Sequence, residues 1–253
     1  MHPSRAIAAF LLAVLAAAGC SLLAKKTPTP AADIPKGELE SHPVPEGERY
    51  YTILFGSINK LRQPAHSHTW ASMVRVKQLP GQVQPEVDVR TISWMPATLK
   101  IQPASRSVEL GVNLSLEQSL KLARDDGQKI EMWGPYEMWH GFWERFSIQK
   151  AFLESGAVGY QCTDTWGEAA RLGNGCDCIH AISDMDPQLP RSGYPLMYYG
   201  PPATGHLVRR IMQRGSVIDA SHTNDWFLVP LNLTNCDIER REYRGRIKYF
   251  ENN

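Results

Sequence analysis

The chain has 253 residues, 43% of them hydrophobic, and 27 Lys and Arg stand against 26 Asp and Glu for a formal charge of +1. That balance offers no basic excess for a nucleic-acid backbone, so no nucleic-acid partner is expected, and the apolar content is too high for a disordered chain. Beyond the first twenty residues no apolar run is long enough to cross a bilayer, and no repeat at a fixed period marks a solenoid.

The opening MHPSRAIAAFLLAVLAAAGCS has one basic residue, Arg5, then an uncharged apolar run from Ala6 to Ala18, then Gly19 and Cys20. This is the order of a secretory signal, and the run is short for a membrane span. The closing AAGC resembles the lipobox of bacterial lipoproteins, with Ala17 where leucine is usual. The resemblance implies that residues 1–19 are a signal peptide and that Cys20 is lipidated and becomes the mature N-terminus. Ser21 in the next position implies an outer-membrane anchor facing the periplasm. The alternative is an ordinary signal peptide cut near Ala18.

Residues 20–48 are rich in Pro, Lys, Glu and small side chains, which predicts an extended, solvated tether. From residue 49 to 253 the composition is that of a single globular domain. RYYTILFGS (49–57), HTWASMVRV (68–76) and VDVRTISWM (87–95) read as strands, the last two joined as an antiparallel hairpin around Pro80-Gly81. Ser115 and Gln118 form a capping-box pattern before a stripe of Leu116, Leu120 and Ala123, with Gly127 to close the helix.

After WGPYE a second helix is expected, with Pro135 near its start, Gly156 just past its end, and Trp139, Phe142, Trp143, Phe146 and Leu153 on its core face. AVGYQC (157–162) reads as a short strand, CIHAISD (178–184) as a helical turn or longer, residues 204–215 as a helix, and DWFLVPLNL (225–233) as a strand or buried loop. The mixture predicts an α+β domain, an antiparallel sheet with packed helices.

The chemistry centres on GNGCDCIHAISDMD, residues 173–186. Cys178 can be a nucleophile, a metal ligand, half of a disulfide or a small buried residue. A bond between Cys176 and Cys178 is disfavoured by ring strain, whereas Cys162 with Cys236, or either with one of the close pair, is open. As a metal set, Cys176, Cys178 and His180 with His66 and His68 suit zinc or copper in type but not in spacing, so no metal and no cofactor is expected. As a nucleophile, Cys178 would head a helix capped by Asn174 or Asp177, where backbone N–H groups favour thiolate. His180, two residues on, points elsewhere around the helix.

A strand histidine, His68, followed far downstream by a helix-heading cysteine resembles the circularly permuted papain-like cysteine hydrolases and acyltransferases. The resemblance implies His68 as base and a polar orienter on the neighbouring strand, for which the hairpin register suggests Ser93. Glu137 with His140, and Asp219, His222 and Asp225, are weaker acid–base candidates that turn chemistry explains equally well.

The expected function is therefore that of a cell-envelope lipoprotein acting as a cysteine-dependent amidase or acyltransferase on an envelope amide or ester, with Cys178, His68 and Ser93 as catalytic residues. The alternatives are a non-catalytic envelope binding or assembly lipoprotein and a Cys/His metal-binding lipoprotein. The partners expected are the membrane, through Cys20, and an envelope substrate or protein. Cys20→Ala should abolish incorporation of labelled palmitate and move the protein from the membrane to the soluble fraction; unchanged labelling would refute the anchor.

Overall fold

The computed structural model describes residues 29–35, 38–186, 199–221 and 225–251. The signal peptide, Cys20 and His222 lie outside them. β1 (Glu48–Ile58) and β2 (Ser67–Lys77) pair antiparallel along their full length, from Glu48 opposite Lys77 to Ile58 opposite Ser67. β3 (Glu86–Ile92) follows antiparallel to β2 through the Pro80-Gly81 turn, as the sequence predicts. The predicted strand then breaks at Ser93, whose N–H is taken by the Asn113 side chain at 2.7 Å. β4 (Trp94–Pro96) thereby leaves the main sheet and pairs with β5 (Gly111–Asn113).

α1 (Leu116–Asp125) has the full capping box: the Gln118 N–H donates to Ser115 Oγ at 3.2 Å and the Ser115 N–H to Gln118 Oε1 at 2.9 Å. β6 (Lys129–Met138) is a strand where only an approaching helix is expected from WGPYE. Proline breaks most strands, but a register shift between Thr52 and Leu54 on β1 lies opposite Gly134 and Pro135, so no ladder hydrogen bond is required of Pro135. α2 (His140–Glu154) starts beyond this strand, with Trp139 as its N-cap residue, and buries Phe142, Trp143, Phe146 and Leu153 as its stripe predicts.

The chain continues through β7 (Gly159–Tyr160), α3 (Gly167–Leu172), β8 (Gly175–Cys176), α4 (Cys178–Ser183), α5 (Pro201–Met212), β9 (Val217–Asp219) and β10 (Ile238–Arg241). The strand expected over 157–162 is thus only two residues long, and α5 begins three residues early, with Pro201 in its first turn. Asp225–Leu228 is a 3₁₀ turn that buries Phe227 and Leu228, so 225–233 is a loop rather than a strand, with Leu233 also buried but Trp226 and Val229 exposed.

Among the described residues the main sheet runs β10-β6-β1-β2-β3, with β9 also on β6; every pairing is antiparallel except β10 on β6. The domain is α+β. Strand alternation sends Tyr50, Leu54, Ala71 and Met73 to one face, beneath α2, α4 and α5. Tyr51, Ile53, Phe55, Trp70, Val74 and Val76 go to the other, beneath α1 and the 225–233 loop. Phe55 and Trp70, opposite each other and fully buried, stack at 5.1 Å, which adds about 0.5–1.5 kcal/mol to their burial.

α5 lies against β1 at Gly56, where an added Cβ would come within 2.5 Å of Thr204 Oγ1 and 2.7 Å of Pro201 Cα. Only glycine permits that approach. The Thr204 hydroxyl sits 3.0 Å from both the Phe55 carbonyl and the Thr69 hydroxyl, which seats the start of α5 on β1 and β2.

The predicted tether is shorter than expected. Ala31 and Leu39 are buried against α2, and the buried Arg145 guanidinium donates to the carbonyls of Ala31, Ile34 and Pro35 at 3.1, 3.2 and 3.0 Å. His42 meets Glu144 at 2.9 Å. The solvated-tether expectation therefore gives way from Ala31 onward, because a few apolar side chains and a set of backbone carbonyls find partners on one helix. Arg145→Met should cost about 2–4 kcal/mol by leaving buried carbonyls unpaired. It should also expose residues 29–42 to limited proteolysis under conditions in which the wild-type arm resists, readable by urea unfolding and by mass mapping of the fragments.

Candidate functional site

α4 begins as the residues predict. Asp177 is extended and its Oδ1 accepts the N–H groups of Ile179 and His180, both at 2.7 Å, so Cys178 is the first residue of the helix. Ala181 and Ile182 anchor α4 in the core, and the Gln149 side-chain amide donates to the Ala181 carbonyl at 3.2 Å, tying α4 to α2. Cys178 opens on a cavity of about 720 Å³. Pro64, Ile101, Pro103, Trp166 and Ile179 supply apolar wall, while Cys162, Asp164, Asp177, Cys178 and His180 bring polar groups.

The polar groups are organised by charge. His180 Nδ1 lies 2.8 Å from Asp164 Oδ2 and 3.3 Å from Asp177 Oδ2, and the Asp177 N–H donates to Asp164 Oδ2 at 3.1 Å. His180 and Asp164 are almost wholly buried. Burial alone would lower the affinity of His180 for a proton, but the two carboxylates outweigh it and hold the imidazolium up to about 11. Asp164 is raised, by burial and by the charge of Asp177; Asp177 is lowered despite its own burial, because His180 and two helix N–H groups stabilise its charge.

The thiols respond in the opposite sense to a nucleophile. Burial, then the Asp177 carboxylate, push the Cys178 thiol well above its ordinary value, with the Thr69 backbone N–H at the sulfur only partly offsetting them. Cys162 is likewise pushed up to about 11, chiefly by burial.

His68 and Ser93 meet: Nε2 lies 2.8 Å from Ser93 Oγ, which in turn accepts from the Ser119 hydroxyl at 2.8 Å. Their setting differs from that of a catalytic dyad. His68 stacks on Trp70 on the α1 side of the sheet and lines a neighbouring cleft with Ser119 and Ala123, while the next residue, Thr69, faces α5 and offers its N–H to Cys178. Burial pushes the His68 imidazole down to about 3. A base that weak is poorly matched to a thiol whose proton is held this tightly. The structure thus joins two of the three expected residues and turns the third towards a different cavity.

The remaining candidates among the described residues each have a structural partner. Glu137 pairs with Arg49 through both carboxylate oxygens, His140 lies beside the Tyr50 ring at 5.0 Å, Asp219 accepts the N–H and hydroxyl of Ser221, both at 2.7 Å, and Asp225 pairs with Arg240 at 2.9 Å. The five Cys and His residues considered for zinc or copper do not converge: His66 pairs with Asp126 at 2.8 Å, His68 with Ser93, and Cys176 donates to the Asp177 carbonyl at 3.2 Å. Among the described residues, ligating atoms gather within 4.8 Å only at Asp164, Asp177 and His180. Those oxygens already accept from the imidazolium and from backbone N–H groups. Asp164 and Tyr160 are the site residues that sequence reasoning missed, and no local spacing marks them; Cys162 figures in the sequence only as a disulfide candidate.

Comparison with family models, with curated proteins and with solved structures finds no match to this chain.

Because His180 binds its proton more tightly folded than unfolded, its contribution is complete below about pH 6.5 and is lost as pH rises towards 11. Unfolding free energy should therefore fall between about pH 7 and 8, above the range where His68 of the unfolded chain loses its proton and below that of unfolded thiols, with a slope approaching about 1.4 kcal/mol per pH unit. His180→Gln should flatten that slope and, by stranding two carboxylates, cost about 3–5 kcal/mol at pH 6.5. Urea titrations at several pH values measure both.

Proposed function

We propose that the mature domain is a non-catalytic binding protein of the cell envelope, anchored through Cys20, which takes a small, largely apolar molecule into the Cys178 cavity. The observation that carries this reading is the cavity itself, about 720 Å³ with apolar walls and a buried ion cluster at its polar end. That volume suits a ligand of drug-like size, and apolar wall with a few fixed polar groups is the usual make-up of a small-molecule site.

The hydrolase reading keeps one supporting feature, a cysteine at a helix start. It loses its base, because His68 is held neutral in a separate cleft, and it loses its thiolate, because burial and Asp177 hold the proton on Cys178. At neutral pH the protonated thiol and the buried imidazolium form a polar wall for a ligand.

N-phenyl-1-naphthylamine, a neutral apolar fluorophore, should bind saturably with one site per chain, and Ile101→Phe, which adds bulk to the cavity wall, should weaken it about tenfold or more. Absence of saturable binding, or indifference to Ile101→Phe, would remove the reading. So would alkylation of Cys178 by iodoacetamide that is fast at pH 7 and slows in His68→Ala, an outcome that would restore the hydrolase.

A further inference from the structure

Two thiols face the same cavity from just beyond the ends of two paired strands, Cys162 in the turn after β7 and Cys178 at the start of α4. β7 and β8 run parallel with Tyr160 opposite Cys176, and the Gln161 N–H carries the ladder one step further by donating to the Cys176 carbonyl at 3.2 Å. Cys162 and Cys178 each stand two residues beyond the Tyr160–Cys176 pair. The strand leading to Cys178 stays extended through Asp177, whose φ and ψ are −87° and 177°.

A disulfide spans roughly 4.4–6.8 Å of Cα separation, and the paired strands that end two residues before each cysteine lie about 4.8 Å apart. Both residues are half-buried and line the cavity wall. The Tyr160 hydroxyl hydrogen-bonds the Cys162 sulfur.

We propose that Cys162 and Cys178 are a redox pair that closes to a disulfide on the cavity wall. The other thiols are set apart from it: Cys176 is buried in the core with its Sγ donating to the Asp177 carbonyl, and Cys236 is exposed near β10. The oxidant is a low-molecular-weight or protein disulfide, as an exported chain would meet. Cys162, whose sulfur Tyr160 assists, loses its proton and attacks one sulfur of that disulfide; the S–S bond breaks and one thiolate leaves, taking up a proton. Cys178, through the small thiolate fraction that its raised proton affinity leaves at pH 8, then attacks the mixed disulfide at the Cys162 sulfur, and the second thiolate leaves and is protonated. Two protein thiols are oxidised to one disulfide, and one external disulfide is reduced to two thiols. The inference stands independently of what the cavity binds.

The test uses the folded full chain with oxidised glutathione at pH 8, quenched with N-ethylmaleimide and digested without reductant. The expected result is a linked peptide joining Cys162 to Cys178, lighter than the two reduced peptides by two hydrogens and separated by dithiothreitol, with Cys176 and Cys236 outside the bond. Cys162→Ser and Cys178→Ser should each abolish the link, and Cys176→Ser should preserve it. A dominant link through Cys176 or Cys236, or Cys162 and Cys178 both still free or stalled as glutathione adducts after prolonged exposure, would overturn the proposal. The wild-type digest decides the matter even if a serine variant folds poorly.

Discussion

The buried contact between His180 and its two aspartates governs the architecture around the cavity. Asp177 caps α4, Asp164 holds the turn after β7, and the imidazolium lies between them. None of the three charges would be tolerable alone at this depth. Their mutual satisfaction fixes where α4 begins, hence where Cys178 stands, and it brings the Cys162 segment alongside. The same arrangement sets the electrostatics: the carboxylate that makes the helix start possible also keeps the thiol beside it protonated.

The sheet acts as a partition with different chemistry on its two faces. Consecutive residues of β2 serve opposite sides, His68 joining Ser93 and Ser119 under α1, and Thr69 joining Thr204 of α5 and the Cys178 sulfur. A one-residue difference in position along a strand is therefore enough to separate a histidine from a thiol that the linear order suggests are partners. The α1 side uses its histidine as a buried, neutral connector; the α4 side holds its own as a cation at neutral pH.

What was legible in the sequence follows the range over which each feature is determined. The Ser115–Gln118 capping box, the Pro80-Gly81 hairpin and the Asp177 cap of α4 are decided by neighbours within a few residues, and the structure has all of them. The proximity of Ser93 to His68 was also readable from the hairpin, although the break at Ser93 depends on Asn113, twenty positions away. β6 was not readable, because Gly134-Pro135 signals a turn unless a partner strand shifts register to receive it. The Asp164–His180 pair is set by the loop through α3, and the docked arm by Arg145, 114 residues from Ala31; neither leaves a local spacing to detect.

The docked arm also sets a length. With Cys20 in the bilayer as proposed, ten peptide links separate the lipid from Pro30, beside the first residue held against α2, and they can span at most about 36 Å. A tether free up to residue 48 would have allowed nearly three times that radius. On that proposal the domain would be confined to a thin layer over the membrane, leashed at a point fixed on its own surface. For an apolar ligand that partitions into lipid, capture becomes a search across a surface rather than through a volume.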